Sequence, residues 1–361
     1  MNKRQLGQFY TTNFDYILEN IDIDIENFKD KIFIEPFAGN NDLIKWIEKK
    51  QDVKIKKFDI DPKDDDTIKQ NTLLNPPNYT DKVVITNPPY LAKNKSKSKN
   101  NKILFEKYKQ SDLYRIFIYQ LIQGNCYGGV IIIPLNFFSS LRKQDIKLRA
   151  NFIQKYDIDQ LNIFEERVFS DTSYTVCCFK FIRSDSEKKS KKVKTTFYPK
   201  KEQKILLFED KNDYLIGGNI YKFGEKEKKY FMIDRLTKSN KKNYIITNIF
   251  ANLLDGGTEN SRIKLTYKKT QYIGNQSDRV FATIIIKPLQ DIDKYQKFFN
   301  TKENQIKIIE EFNQIFNEYR KKYHSLFLSN YRESANGNGR KRCSFGLCYG
   351  LIRHILYKIQ N

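Results

Sequence analysis

VVITNPPY, residues 83 to 90, begins as four apolar residues suited to a buried strand. It breaks at an asparagine, two prolines and a tyrosine, and the chain then runs into the lysine-rich KNKSKSKNNK at 93 to 102. That ending concentrates unusual chemistry at the carboxyl end of a strand. Prolines have no N–H and a fixed φ, so the segment leaves carbonyl oxygens unpaired and aimed outward, with the Asn87 side chain adding an amide acceptor beside them. Two acceptors facing one small spot suit an exocyclic amino group. Its hydrogens would bond Asn87 Oδ1 and the Pro88 carbonyl, its nitrogen lone pair would stay free to attack, and Pro89 would keep the turn rigid. Tyr90 offers a flat surface to a planar base, worth about 1 to 3 kcal/mol per stacked base.

Outward from this strand the first half alternates short apolar runs with helical patterns. KIFIEP (31 to 36) precedes DLIKWIEKK; VKIKKFDID (53 to 61) and KVVITNPP (82 to 89) follow; DLYRIFIYQLIQ (112 to 123) precedes GGVIIIPLNFF (128 to 138). This is the rhythm of a parallel α/β sheet. YTVCCFKFI (174 to 182) reads as a late, edge-ward or antiparallel strand. SDSEKKSKKVKTTF (184 to 197) is charged and poor in apolar residues, and reads as a linker or exposed hairpin. Two domains are therefore expected: 1–183, a catalytic α/β unit, and 184–361, a mixed α+β unit. In the latter, ATIIIKPL (282 to 289) is a strand. ENQIKIIEEFNQIFNEYRKKY spaces Ile306, Ile309, Phe312, Phe316 and Tyr319 for one helical face, and LCYGLIRHILYKI (347 to 359) closes the chain as a helix.

Charge divides the chain at the same place. Residues 1–183 carry 29 Lys and Arg against 24 Asp and Glu, and residues 184–361 carry 36 against 19. A surplus concentrated in one half points to a polyanion partner, most simply nucleic acid. RLTKSNKKN (235 to 243), SRIKLTYKK (261 to 269) and SANGNGRKRC (334 to 343) mix Arg, Lys and Asn with loop formers, as base and phosphate contacts require. The 93–102 segment is too polar to pack and reads as a solvated loop or a mobile basic arm gripping phosphates. The five cysteines and two histidines show no ligand spacing, which argues against a zinc site or a disulfide framework, and no metal is expected. No run of eighteen apolar residues and no signal-peptide core occurs, so an intracellular protein is expected.

Two more strand ends belong with the first, because ligands of open α/β sheets collect at the carboxyl edge. IFIEPFAGNNDLI (32 to 44) gives a strand, the acid Glu35, a turn at Gly39 and a helix starting near Asn40. Such a turn offers free N–H groups to a carboxylate or phosphate. KKFDIDP (56 to 62) places Asp59 about twenty residues beyond that glycine, where an acid can hold both hydroxyls of a ribose.

Taken in order, GQFYT (7 to 11), IEPFAGNNDL (34 to 43), FDIDP (58 to 62), NTLL (71 to 74), TNPPY (86 to 90) and FEERVFSDTSYTVC (164 to 177) resemble the gamma-class N6-adenine DNA methyltransferases of restriction-modification type. The resemblance covers residues 5–182. It implies a Rossmann-like S-adenosylmethionine-binding domain followed by a target-recognition domain that binds double-stranded DNA. By resemblance, Tyr10 and Thr11 close over the methionine end of the cofactor, and Glu35, Phe37 and Gly39 line its amino-acid moiety. Asp59 holds the ribose, Ile60 packs on the cofactor's adenine, and Asn71 accepts from that adenine's amino group. The target base is received by Asn87, Pro88 and Tyr90, with Phe169 pressing on it from another side.

Three positions depart from the family pattern. Thr12 stands where proline is usual, Asn41 where a second glycine is common, and Asn71 where relatives carry an aspartate, which predicts weaker cofactor binding. Methyl transfer from a sulfonium has a good leaving group, so orientation and hydrogen bonding suffice and the scarcity of histidine is no obstacle. A target amine within a duplex is reached by flipping the base out. Alternatives are an RNA or protein-glutamine methyltransferase, which presents a planar amide or amino group to the same pocket, a cytosine-N4 enzyme, and a catalytically inactive DNA-binding relative. No paired acid-lysine nuclease pattern stands out, so a cognate endonuclease is expected on a separate chain.

Overall fold

The computed structural model describes residues 13–23, 28, 30–50, 52–169, 175–184, 189–240, 244–255, 262–328, 330–333 and 339–360. The chain divides into two compact units, Met1–Tyr214 and Leu215–Asn361. No helix among the described residues is long and apolar enough to cross a membrane.

The first unit is built on a nine-stranded sheet. Its strands are β1 (Phe33–Glu35), β2 (Ile55–Asp59), β3 (Ile68–Lys69), β4 (Val83–Thr86), β5 (Gly128–Pro134), β6 (Tyr156–Phe164), β7 (Val176–Arg183), β8 (Ser190–Tyr198) and β9 (Glu202–Glu209). The order is β3-β2-β1-β4-β5-β7-β6-β8-β9. β1 to β5 are mutually parallel, and the chain moves outward from β1 through β2 to β3 before returning to β4 on the other side of β1. This is a Rossmann-like open α/β sheet, and its strand order reverses between β1 and β4, where such sheets bind ligands. Helices α1 (Phe14–Ile17), α2 (Asp42–Glu48), α3 (Lys99–Tyr108), α4 (Leu113–Gln123), α5 (Asn136–Ser139) and α6 (Lys143–Lys155) complete the unit.

The central strands read as continuous apolar runs because both of their faces are covered. Every residue of β4 and β5 is buried. Gly129 has φ +154°, and a Cβ there would lie 1.9 Å from the Val84 carbonyl oxygen, so only glycine lets β4 and β5 close on each other. Helix α4 is apolar nearly all round and buries nine of its eleven residues. The buried pair Arg115–Asp145 joins α4 to α6. Arg149, fully buried on α6, donates to the carbonyls of Phe137 (2.9 Å), Ser140 (3.2 Å) and Asp213 (2.9 Å).

Three expectations are corrected here. The boundary does not fall at 183/184 but at 214/215. The stretch read as a linker or exposed hairpin contains nearly all of β8, which forms a hairpin with β9 but also pairs in parallel with β6 from Gln160↔Lys194 to Phe164↔Tyr198. Charge alternation on β8 misled the reading, since Val193 and Thr195 point inward on either side of the exposed Lys194 and Thr196 to Tyr198 are all buried. Secondly, β7 is antiparallel as expected, yet it lies inside the sheet between β5 and β6. Thirdly, the 93–102 segment is no loop throughout. A short 3₁₀ turn covers Lys93–Lys95, and Ser98, accepting from the Asn101 N–H, caps α3, whose Leu104 and Phe105 are buried.

The second unit is mixed α+β. Its main sheet has the order β10-β14-β11-β13, formed by β10 (Phe231–Arg235), β11 (Ile245–Asn252), β13 (Lys264–Tyr267) and β14 (Phe281–Pro288), all antiparallel. A smaller sheet joins β12 (Leu254–Asp255), β16 (Gly339–Arg342) and β15 (Asn330–Glu333). Helices α7 (Ile292–Phe299), α8 (Lys302–Tyr323) and α9 (Phe345–Gln360) follow or separate these strands. On α8, Ile309, Phe312 and Phe316 are buried as the spacing predicts, but Ile308 is buried too while Ile306 and Tyr319 are only half-buried. The stripe is rotated toward Ile308 because α8 also ties itself to the sheet: the Asn313 side chain accepts from Leu265 N–H (2.9 Å) and donates to its carbonyl (3.0 Å).

Candidate active site

The carboxyl ends of β1, β2 and β4 come together at the point where the strand order reverses. After β1 the chain turns at Gly39, with φ +54°, and Asn41, with φ +62°. Asn41 therefore holds the left-handed conformation in which a second glycine would sit, and asparagine tolerates it better than most residues. Helix α2 starts at Asp42. The turn is locked to β2: Ala38 N–H donates to the Phe58 carbonyl (2.9 Å), and Gly39 N–H to Asp59 Oδ2 (2.8 Å). Asp59 is buried, and its Oδ1 accepts the Asp61 N–H (2.8 Å). One lone pair per oxygen is thereby used. Ile60, directly after it, is 41% exposed at the strand end.

Glu35 closes β1 with its side chain buried. Its Oε1 accepts the Thr86 hydroxyl (2.5 Å) and the Phe37 N–H (3.0 Å). Thr86 is the last residue of β4, so this bond ties the first strand end to the residue before Asn87. Burial pushes the Glu35 carboxyl up to about 8; the two hydrogen bonds pull the other way, and nearby Asp59 adds to the rise. Phe37 is half-buried, its ring edge-on to Phe117 at 5.1 Å.

Beyond β4, Asn87 and Pro89 are half-buried, and Pro88 and Tyr90 are buried. Tyr90 departs from expectation. Its ring is only 3% exposed and stands edge-on to Tyr114 at 6.1 Å, so it turns inward and not out as an open stacking surface. Its hydroxyl lies within hydrogen-bond reach of Asn87 Oδ1 and of the Ile132 carbonyl, the latter at 2.7 Å. The sheet supplies the reason: β5 presents the Ile132 carbonyl alongside, and a phenol hydroxyl near a buried carbonyl seeks it. The following loop is fixed to the start of α4, because Leu91 N–H donates to Asp112 Oδ1 (3.0 Å) and Lys93 N–H to the Ser111 carbonyl (3.0 Å). Burial raises the Asp112 carboxyl to about 6, with Arg115 opposing.

Asn71 is half-buried beside this edge, where its neighbour Thr72 donates to the Pro36 carbonyl (2.9 Å). Its Oδ1 already accepts the Leu74 N–H at 3.3 Å, a local turn bond invisible in the motif. Phe169 is buried five residues beyond the end of β6, a strand parallel to β5, so it approaches the same edge. Tyr10, Thr11 and Thr12 lie outside the described residues, as does Asp171 to Tyr174. Parts of the basic segments do too, at 241–243, 261 and 334–338. Sequence reasoning missed the Glu35–Thr86 bond, although a threonine one residue before Asn87 was a visible signal, and it missed the Asp112 clamp on the loop.

Residues 8–169 match the Eco57I restriction-modification methylase family. Among solved structures, one similar chain is described as a modification subunit of a type I restriction enzyme from Vibrio vulnificus YJ016. It is 15% identical, covers 55% of this chain and 49% of its own length, and has a TM-score of 0.41. A type I restriction-modification methyltransferase subunit from Streptococcus thermophilus is 14% identical over 52% and 47% of the two chains (TM-score 0.38). A chain described as a class I S-adenosylmethionine-dependent methyltransferase from Listeria monocytogenes is 17% identical over 54% and 65% (TM-score 0.37). The protein thus spans about half to two thirds of the length of these solved chains. No curated protein matches it.

Proposed function

We propose, from the premise that residues 8–169 are an Eco57I-type restriction-modification methylase domain, that the chain transfers a methyl group from S-adenosylmethionine to the N6 amino group of an adenine extruded from duplex DNA. The observation that carries this reading is the Asn87-Pro88-Pro89-Tyr90 segment ending β4 at the reversal of strand order, bonded through Thr86 to the glycine turn of β1.

The turn's donor and acceptor set fits the cofactor. Asp59 keeps one lone pair on each oxygen for a pair of ribose hydroxyls, and exposed Ile60 offers an apolar surface to a flat adenine. Asn41 Oδ1 is buried without a hydrogen-bond partner among the described residues, an acceptor suited to an ammonium. Glu35, Phe37, Gly39 and Asn71 border the same turn, and Tyr10 and Thr11 are assigned there by the family pattern. When bound, S-adenosylmethionine supplies a methyl group on a cationic sulfur.

The chain's own residues orient the amine. Asn87 Oδ1 and the Pro88 carbonyl accept its two hydrogens, leaving the nitrogen lone pair as the nucleophile and fixing the base rotationally. Because Tyr90 currently directs its hydroxyl toward Asn87 Oδ1, the arriving amino group replaces that contact and the hydroxyl keeps the Ile132 carbonyl. Phe169 packs on the base from the β6 side. The basic second unit grips the DNA, with a separate cognate endonuclease as the natural counterpart in a restriction-modification pair.

The test is methyl transfer from labelled S-adenosylmethionine to unmethylated duplex DNA, followed by nucleoside chromatography. Label in deoxy-N6-methyladenosine, lost in Asn87→Ala with cofactor binding retained, is the expected result. Transfer only to RNA or protein, or cofactor binding with no transfer to any acceptor, would overturn the proposal.

A further inference from the structure

We propose that the exposed patch around Phe250 and Phe281, on one face of the β10-β14-β11-β13 sheet, is a stacking surface for unstacked DNA bases. This rests on the DNA reading above and adds which surface of residues 215–361 meets bases. Across the register, Phe250 faces Thr266 and Thr283, and Asn252 faces Lys264 and Phe281. Directly paired residues project from one side of a sheet, so these form a single face. The alternate residues Ile249, Ala251, Leu265 and Ala282 form the other face, and all are buried.

An antiparallel sheet with one face on the core ordinarily turns polar side chains to water on the other. Here aromatic rings occupy it. Phe281 is 39% exposed and Tyr272 37%, with Ile246 on the same face at 42%. The Phe250 and Phe281 rings lie 6.1 Å apart and 14° from parallel, and Tyr272 stands edge-on to Phe250 at 6.0 Å. Tyr272 is held in place by its N–H to Thr283 Oγ1 (2.7 Å) and its hydroxyl to Asp278 Oδ2 (2.9 Å). Phe250 and Phe281 are therefore nearly parallel, with Tyr272 as a wall beside them, a combination that suits planar partners.

Charge identifies the partner. Residues 215–361 carry 27 Lys and Arg against 13 Asp and Glu. Lys264, Lys268, Lys269 and Arg279 are all exposed on or beside the platform, and Lys268 Nζ rests 3.6 Å from the centre of the Phe250 ring. Rings that stack and cations that reach phosphates are the two elements of sites that bind opened nucleic-acid strands. A base settling on Phe250 displaces the ammonium from the ring and frees it for the phosphate. A continuous duplex hides its base faces, so the surface takes bases exposed where the helix is opened, as around an extruded adenine.

The experiment measures fluorescence-anisotropy binding of the full chain to a perfect duplex and to the same duplex with a short unpaired bubble, across a salt series. Phe250→Ala/Phe281→Ala is expected to weaken bubble binding about 5- to 150-fold, leave perfect-duplex binding nearly unchanged and preserve the slope against salt. Lys268→Gln, which leaves the rings intact, is expected to lower the slope of log K against log salt by about one. If the wild type binds both DNAs and the double variant binds the bubble equally well, the stacking surface is wrong while the DNA reading stands. If the wild type binds neither DNA, both are overturned.

Discussion

Replacing Glu35 by glutamine tests the buried carboxyl that joins the glycine turn to β4. The carboxyl is held protonated up to about pH 8 in the fold, whereas in the unfolded chain it ionises near 4.5. Between those values the folded state binds more protons than the unfolded state, so stability must fall as pH rises; below 4.5 and above 8 this group contributes no slope. Each pH unit in the window costs about 1.4 kcal/mol, which makes roughly 5 kcal/mol over the whole span and roughly 3 kcal/mol between pH 4.5 and 7. Glutamine keeps both hydrogen bonds, because its Oε1 can accept the Thr86 hydroxyl and the Phe37 N–H as Glu35 does. Glu35→Gln is therefore expected to be more stable than wild type at pH 8, about equal at pH 5, and nearly free of pH dependence from this source. Trp46, the sole tryptophan of the chain, is buried on α2 next to the turn. Its fluorescence reports urea unfolding of this unit directly. Parallel wild-type and variant stabilities across pH 5 to 8 would refute the account of Glu35.

Three further substitutions probe the same region. Asn71→Asp adds a charge to the acceptor assigned to the cofactor's adenine, and is expected to tighten S-adenosylmethionine binding about fivefold by calorimetry; an unchanged Kd would remove Asn71 from the cofactor site. Tyr90→Phe keeps the ring and is expected to retain methyl transfer within a few fold, at a cost of about 1 to 2 kcal/mol for the Ile132 carbonyl it leaves unpaired. Tyr90→Ala is expected to lose transfer, and equal loss in both variants would mean that the hydroxyl, not the ring, is what matters. Arg115→Leu strands Asp145 in the core and is expected to cost about 3 to 5 kcal/mol in Trp46-monitored unfolding, most of it recovered in Arg115→Leu/Asp145→Leu; a double variant as unstable as the single would contradict this.

The parallel strands and the polar residues at their ends were legible because apolar runs bounded by Gly, Pro and Asp carry their own punctuation. Val83 to Tyr90 announces both the strand and the turn that ends it. What escaped was set by contacts distant in sequence. Whether Tyr90 turns outward or inward depends on the Ile132 carbonyl forty-two residues away, and no local pattern encodes that choice. The lysines of 184–197 and 93–102 suggested solvent, yet a strand needs only alternate residues inside and a helix only one stripe, so Val193 and Phe197, or Leu104 and Phe105, were enough to anchor each. The basic second half was evident from charge alone, whereas Phe250 and Phe281 meet only through the β11–β14 register.

The placement of β8 and β9 in the first unit's sheet bears on where such a chain could be joined to a different second unit. A junction at Ser184 would leave β6 paired only with β7 and bare its other edge from Gln160 to Phe164, an invitation to pair with other chains and aggregate. It would also remove the Asp213 carbonyl that Arg149 uses. A crossover after Tyr214 leaves that edge covered by β8, itself backed by β9, so the seam for modular shuffling lies 37 residues beyond Cys177, where the last sequence motif ends.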